Sequence, residues 1–252
     1  MNYVFADAVI SFLTGKQDAE ALCLALTALR QNYPKPFYDS CLTMLSSHDT
    51  VRLLTVLAGA PDRRSVSREV QAHFVPEESR LNTAKKLMTL AQLIQLTHPG
   101  IPCIYYGDEA GVCGFTDPDN RRTYPWGKED LEMLDFHKRM ICIHKAYPLL
   151  AKGSLEFLWN DHQGLSYGRF SDSEQIIVII NNQDYERDVR VTAWKTGVSR
   201  KEATAFQRLM LSSRDGYTEK AEEYIADAGI LHVRMPAYGA MVLHHRAREK
   251  YK

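Results

Sequence analysis

From Gly153 onward the sequence stops repeating at helical spacing and begins repeating at strand spacing. No other feature constrains the fold as much. Short β-rich segments recur at 155–159, 165–170, 175–181, 188–194, 203–211, 229–235 and 240–245, separated by polar or Gly-containing stretches. Regular short strands with turn residues between them predict an antiparallel sandwich. Before residue 150 the texture alternates instead. Helical patterns cover 3–14, 19–31, 50–60, 76–97 and 130–145, with short apolar runs at 41–45 and 101–107 among them. Helices alternating with short buried strands imply parallel βαβ units. The expected architecture is α/β followed by all-β, with domains at 1–150 and 151–252.

Local punctuation supports this division. Gly15 suits the position just past a helix end and Asp18 the cap of the next helix. Pro76 suits a first helical turn, and Pro99 bars continuation past His98. The segment A-E-A-L-C-L-A-L-T-A-L-R, from Ala19, is apolar on most sides and predicts a well-buried helix.

Composition excludes several classes of partner. The chain has 252 residues, 45% hydrophobic and 25% charged with zero formal net charge, ordinary for a globular protein with a sizeable core. Without a long basic block, no nucleic-acid partner is expected. The longest apolar runs, such as Ile176 to Ile180, are far short of a bilayer span, so no membrane partner is expected. Asp7 interrupts the first apolar stretch, which does not read as a signal peptide. Five cysteines without a C-x-x-C spacing suggest neither a metal site nor a disulfide framework. Buried free thiols in a reducing compartment, and hence a cytoplasmic location, are expected, with no cofactor.

The candidate chemistry sits where the apolar runs end. Cys41–Leu45 leads through Ser46 and Ser47 to His48 and Asp49. Two readings are open on these residues alone: Asp49 caps the following helix and His48 is a loop residue, or the pair presents polar chemistry on a rigid base. The second run ends at Asp108 and Glu109, and a Gly-rich loop from Gly111 to Trp126 contains D-P-D-N-R-R at 117–122.

Taken in order, S-S-H-D-T-V-R after a strand, P-G-I-P-C-I-Y-Y-G-D-E-A-G, D-P-D-N-R-R and P-W resemble the C-terminal part of the α-amylase family of glycoside hydrolases. The resemblance is strongest to the neopullulanase and cyclomaltodextrinase branch. The opening M-N-Y-V-F-A-D-A and the late V-R-M-P-A-Y-G-A-M-V-L extend it over essentially the whole chain. It implies an incomplete C-terminal part of a (β/α)8 TIM barrel, about strands 6 to 8, followed by an antiparallel β-sandwich domain. Cys41–Leu45 would be the seventh strand and Pro102–Gly107 the eighth. Asp49 would then be the carboxylate that grips the sugar as its ring flattens, assisted by His48 from the same side. Asp117 and Arg121 match substrate-contacting positions, with a loop salt bridge as the alternative. Asp108 and Glu109 would hold the eighth strand and its loop, while Tyr105, Tyr106 and Trp126 are expected to pack in the core. The implied partner is an α-glucan or maltooligosaccharide.

One departure from the family pattern carries equal weight. The nucleophile of these retaining enzymes lies in a G-x-R-x-D stretch and the acid/base is a Glu on the next strand; the sequence contains no G-x-R-x-D. A complete barrel takes roughly 250 residues, against about 150 before the β-rich half. The expectation is a C-terminal portion of an α-glucan-acting retaining hydrolase, inactive alone. Its partner would be the missing barrel half or a second copy of itself. A non-catalytic carbohydrate-binding or assembly protein is the alternative, and a transglycosylase or phosphorylase on the same scaffold a third.

Overall fold

The structure is a computed structural model that describes residues 1–247. The first part runs α1 (Tyr3–Leu13), α2 (Ala19–Asn32), α3 (Lys35–Asp39), β1 (Leu42–Thr43), α4 (Leu53–Leu57), α5 (Arg68–His73), α6 (Glu78–Thr97), β2 (Ile101–Pro102), α7 (Leu131–Ala146) and α8 (Leu149–Lys152). The strands that follow are β3 (Ser154–Asn160), β4 (Gly164–Phe170), β5 (Glu174–Asn181), β6 (Arg187–Val191), β7 (Thr204–Ser213), β8 (Gly216–Thr218), β9 (Glu223–Asp227), β10 (Ile230–Met235) and β11 (Gly239–Arg246).

Helix boundaries follow their caps. Asn2 Oδ1 accepts from Phe5 N at 3.0 Å, and Asp18 Oδ1 accepts from Ala21 N at 2.9 Å, opening α1 and α2. Gly15, at φ 71°, takes the left-handed turn past α1. His98 is extended ahead of Pro99 and stops α6. The two apolar runs pair over less length than expected: β1 and β2 are parallel, with Leu42 opposite Ile101 and Thr43 opposite Pro102. Pro102 has no N–H to extend the ladder, and past it the chain turns at Tyr105 toward Gly107. On the other edge of β1, Asn2 N donates to Leu42 O at 2.9 Å; among the described residues no third strand joins the pair.

Two expectations about burial are corrected. Helix α2 buries only the stripe Ala19, Leu22, Cys23 and Leu26 and leaves Leu24 63% exposed, because one side of it faces solvent. Of the cysteines only Cys23 is buried; Cys41, Cys103 and Cys113 are half-buried and Cys142 is exposed. Strands β8 and β9 lie in stretches that read as polar, since Ala226 is their one fully buried residue.

The β-rich half forms one hydrogen-bonded antiparallel sheet in the order β3-β4-β5-β11-β7-β9-β10-β6, with β8 added beside β7. It rolls until the Thr192 hydroxyl, just past β6, donates to the Leu158 carbonyl of β3. Rolling gives the sheet two apolar faces. Ile176, Val178 and Ile180 of β5 join a core that continues into α1, α2, α6 and α7. Ile177 and Ile179 face a second core with Val191, Phe206, Val233, Met241 and Leu243. A strand covered on both faces reads as an unbroken apolar run, which is what 176–180 is.

Arg169 of β4 locks the junction of the two halves. Fully buried, it donates through Nη1 to Thr97 O at 2.9 Å and to Leu150 O, and through Nη2 to Gly153 O at 2.9 Å. Those carbonyls lie at the ends of α6 and α8 and at the turn into β3, where backbone acceptors need partners. Burial pulls the guanidinium down to about 10.

Candidate functional site

The parallel pair sets the position of the site. Because β1 and β2 run in the same direction and in register, the loops that follow them emerge at the same end. Gln95 of α6 holds this end together, donating through Nε2 to Thr43 O and Cys103 O, each at 3.0 Å. The first loop, 44–52, contains His48 and Asp49; the second, 103–130, contains Asp108, Asp117 and Arg121.

In the first loop the backbone is turned by its own side chains. Ser47 N donates to Thr50 Oγ1 at 2.8 Å and Asp49 N to Ser47 Oγ at 3.1 Å. Ser46 and Ser47 are buried, whereas His48 and Asp49 point to solvent with side chains 52% and 59% exposed. His48 Nε2 lies 3.2 Å from Asp49 Oδ1. Helix α4 starts after Arg52 with no side-chain cap, so Asp49 is not the capping residue that one reading made it. The imidazole–carboxylate pair is free to meet a ligand.

Below it lies a buried ion pair. Arg52 Nη1 donates to Asp108 Oδ1 at 3.1 Å with both side chains out of solvent, and to Tyr106 O. Its guanidinium carbon lies 4.1 Å from the Tyr105 ring centroid and 4.7 Å from that of Tyr106, within cation–π range. The Ser46 hydroxyl donates to the other oxygen of Asp108. Burial pushes the Asp108 carboxyl up to about 6, opposed by the Ser46 hydroxyl and Arg52. Asp108 therefore holds the two loops together and does not face a ligand. Gly107, at φ 87°, supplies the turn that aims Asp108 inward; a Cβ there would sit 2.8 Å from Val112 Cγ2.

In the second loop, Arg121 Nε lies 2.7 Å from Asp117 Oδ1, with both side chains largely exposed. The pair forms a loop salt bridge whose polar ends face solvent. Asp119 is paired with Arg68 of α5, and Arg122 Nη2 donates to Ala72 O at 3.1 Å, fastening the outside of the loop. Trp126 departs from the expected core position: it is 81% exposed, its ring centroid 4.5 Å from that of Tyr124. Tyr106 is partly exposed and Tyr105 lies half-buried beneath Arg52. Among the described residues no group of three or more His, Cys, Asp or Glu is arranged to hold a metal ion.

Arg52, Ser46 and Asn120 were not singled out from the sequence. The available signal was an arginine set directly before L-L-T-V-L at a buried helix start, where a charge needs a partner.

Two parallel strands linked by helices, loops gathered at one strand end and an antiparallel sheet behind them make an α/β part followed by an all-β part. The comparisons agree. No family model matches the chain. The chain is similar to the cyclomaltodextrinase of Geobacillus thermopakistaniensis, 31% identical over 245 residues, covering 95% of this chain and 35% of the relative. It is also similar to the amylopullulanase of Thermoanaerobacterium saccharolyticum, 30% identical over 268 residues, covering 96% of this chain and 19% of the relative. Among solved structures, the debranching enzyme from Nostoc punctiforme superposes with a TM-score of 0.71 at 24% identity, covering 97% of this chain and 47% of that one. The chain belongs to the α-amylase family of glycoside hydrolases and matches its C-terminal part. It spans about a third or less of the length of these two curated relatives.

Proposed function

We propose that this chain supplies the sugar-gripping side of an α-glucan-acting retaining glycosidase of the neopullulanase and cyclomaltodextrinase kind. Asp49, assisted by His48, binds the hydroxyls of the sugar under attack, and Asp117 and Arg121 contact the neighbouring part of the glucan. The observation that carries this reading is the placement of both exposed pairs on loops leaving the same end of the β1–β2 pair. Carboxylate hydrogen bonds to sugar hydroxyls strengthen as the ring approaches the oxocarbenium-like transition state, so they lower the barrier more than they tighten ground-state binding.

The 252 residues do not hydrolyse glycosides by themselves on this reading. Retaining hydrolysis needs a nucleophile and a separate acid/base about 5–5.5 Å apart, and no G-x-R-x-D stretch is present to provide the first. Residues 1–150 then form the barrel portion and 151–252 the β-domain, with the nucleophile and acid/base lying outside these 252 residues and the enzyme residing in the cytoplasm. Assay of the purified chain on cyclomaltodextrin and pullulan should give no turnover, and measurable turnover overturns this part. In a protein that joins these residues to the barrel half of a relative, Asp49→Asn should lower kcat by at least a hundredfold; an unchanged kcat removes the role given to Asp49. The open surface around Asp117 and Arg121 also fits the second reading, a carbohydrate-binding protein. Saturable maltooligosaccharide binding by the isolated chain, lost with Arg121→Ala, would favour it.

A further inference from the structure

The two candidate pairs sit on different loops, some 70 residues apart in sequence, yet one side chain ties their backbones together. Asn120 lies between Asp117 and Arg121 and is completely buried. Its Nδ2 donates to three carbonyls of the first loop: Thr50 O at 2.7 Å, His48 O at 2.8 Å and Ser47 O at 3.3 Å. Those three carbonyls flank and include the backbone of His48 and Asp49. Among the described residues the Oδ1 of Asn120 accepts nothing, so the hold on the first loop comes wholly from the donating end.

The tie is reciprocal. Arg52, at the end of the first loop, donates through Nε to Asn120 O at 2.8 Å and through its backbone N to Gly114 O at 3.0 Å. Gly114 N in turn donates to Thr55 Oγ1 at 2.8 Å. Within the second loop itself the chain folds back too closely for any side chain at 114, where a Cβ would fall 2.2 Å from Asp119 O. Each loop thus sends one buried side chain into the backbone of the other. A buried carbonyl deprived of its donor is left unsatisfied at a cost in free energy, so the carbonyls gathered on this one amide make release of either loop alone unfavourable.

We infer that Asn120 is a positioning residue that makes the His48–Asp49 pair and the Asp117–Arg121 pair a single binding unit, held at fixed separation before any glucan arrives. The inference rests on the sugar-binding reading above for its consequence, but its structural content is independent of it. Two side-chain pairs fixed in advance need no ordering when they meet a ligand, which preserves affinity. A hydrogen-bonding role and a space-filling role make opposite demands at this position. Aspartate has the volume of asparagine but presents acceptors to three carbonyls, whereas alanine merely removes the donor.

The test uses the 252-residue chain and its Asn120→Asp and Asn120→Ala variants. Hydrogen–deuterium exchange should quicken at least tenfold in peptides covering both 46–52 and 114–122, with α6 and β5 unchanged. Asn120→Asp should be at least as severe as Asn120→Ala. Acceleration in 114–122 alone, acceleration spread into α6 and β5, or an aspartate variant milder than the alanine one overturns the inference. With maltoheptaose as probe, affinity should fall tenfold or more in Asn120→Asp. If the parent chain binds no maltoheptaose, the second reading, a carbohydrate-binding protein acting alone, fails, while the exchange measurement still decides the tie between the loops.

Discussion

The two halves of this molecule solve the burial problem differently. The β-rich half encloses a core of its own: Ile177, Ile179, Phe206, Met241 and Leu243 are buried by the rolled sheet in a cluster that, among the described residues, includes none from the helices of the first part. The helical half has no such interior. Its core residues pack on one side against β4, β5 and β11, while Leu42 and Ile101, side by side in the parallel pair, remain 37% and 50% exposed. A sheet of two parallel strands leaves its edges largely unpaired and cannot cover itself. The β-half is therefore the base, and the helical half is held by it on one side and left open on the other.

Acid should expose this difference most strongly. Burial, with Arg169 nearby, pulls the His98 imidazole down to about 3, and burial pulls His137 down to about 4; both lie in the helical half. The unfolded chain protonates these groups near 6.5. Their contribution to stability is thus fully present above that pH and is lost as pH falls toward 3. For His98 alone the loss is roughly 5 kcal/mol. Asp108 acts in the opposite sense: with its carboxyl raised to about 6, its contribution is present below about 4 and lost as pH rises through 6. Exchange measured at pH 4 and pH 7 should show the helical half opening first in acid, and His98→Asn should reduce that pH dependence. Equal opening of the two halves would break the comparison.

A smaller effect is expected from the core of the β-half. Ile179→Ala, inside the second core between Ser166 and Met241, should cost about 3–4 kcal/mol in urea unfolding. Both halves should be affected, since the helical half depends on this base. Arg169→Met should cost about 3 kcal/mol by leaving Thr97, Leu150 and Gly153 carbonyls without a donor. It should uncouple the halves, so that exchange quickens in the ends of α6 and α8 and not in β5. The smallest effect belongs to Ile101→Lys. On an open face it should change stability by no more than about 0.5 kcal/mol while improving solubility, measured by the urea midpoint and by light scattering.

Much of the architecture was readable from local patterning. The seven β-rich segments each became a strand, because alternation and turn residues act over a few residues and survive without a partner. Helix ends at Asp18, Gly15 and Pro99 were equally local. Burial was not. The apolar stripe of α2 did not reveal that one side would meet solvent, and Trp126 did not announce its exposure, because burial depends on what the rest of the chain brings alongside. The same limit applied to the candidate site. His48, Asp49, Asp117 and Arg121 were visible as motifs on loops, but the residues that join those loops were not.

The sequence alone determined where helices give way to strands, which loops carry the polar pairs and which family the ordered motifs resemble. Those signals depend on chemistry within a few residues. Only the tertiary structure decided that Asn120 and Arg52 each reach into the other's loop, that Arg169 closes the junction, and that Asp108 turns inward to hold rather than outward to react. Each of these joins segments between about 20 and 70 residues apart, and a hydrogen bond over that span exists only once the chain has folded around it.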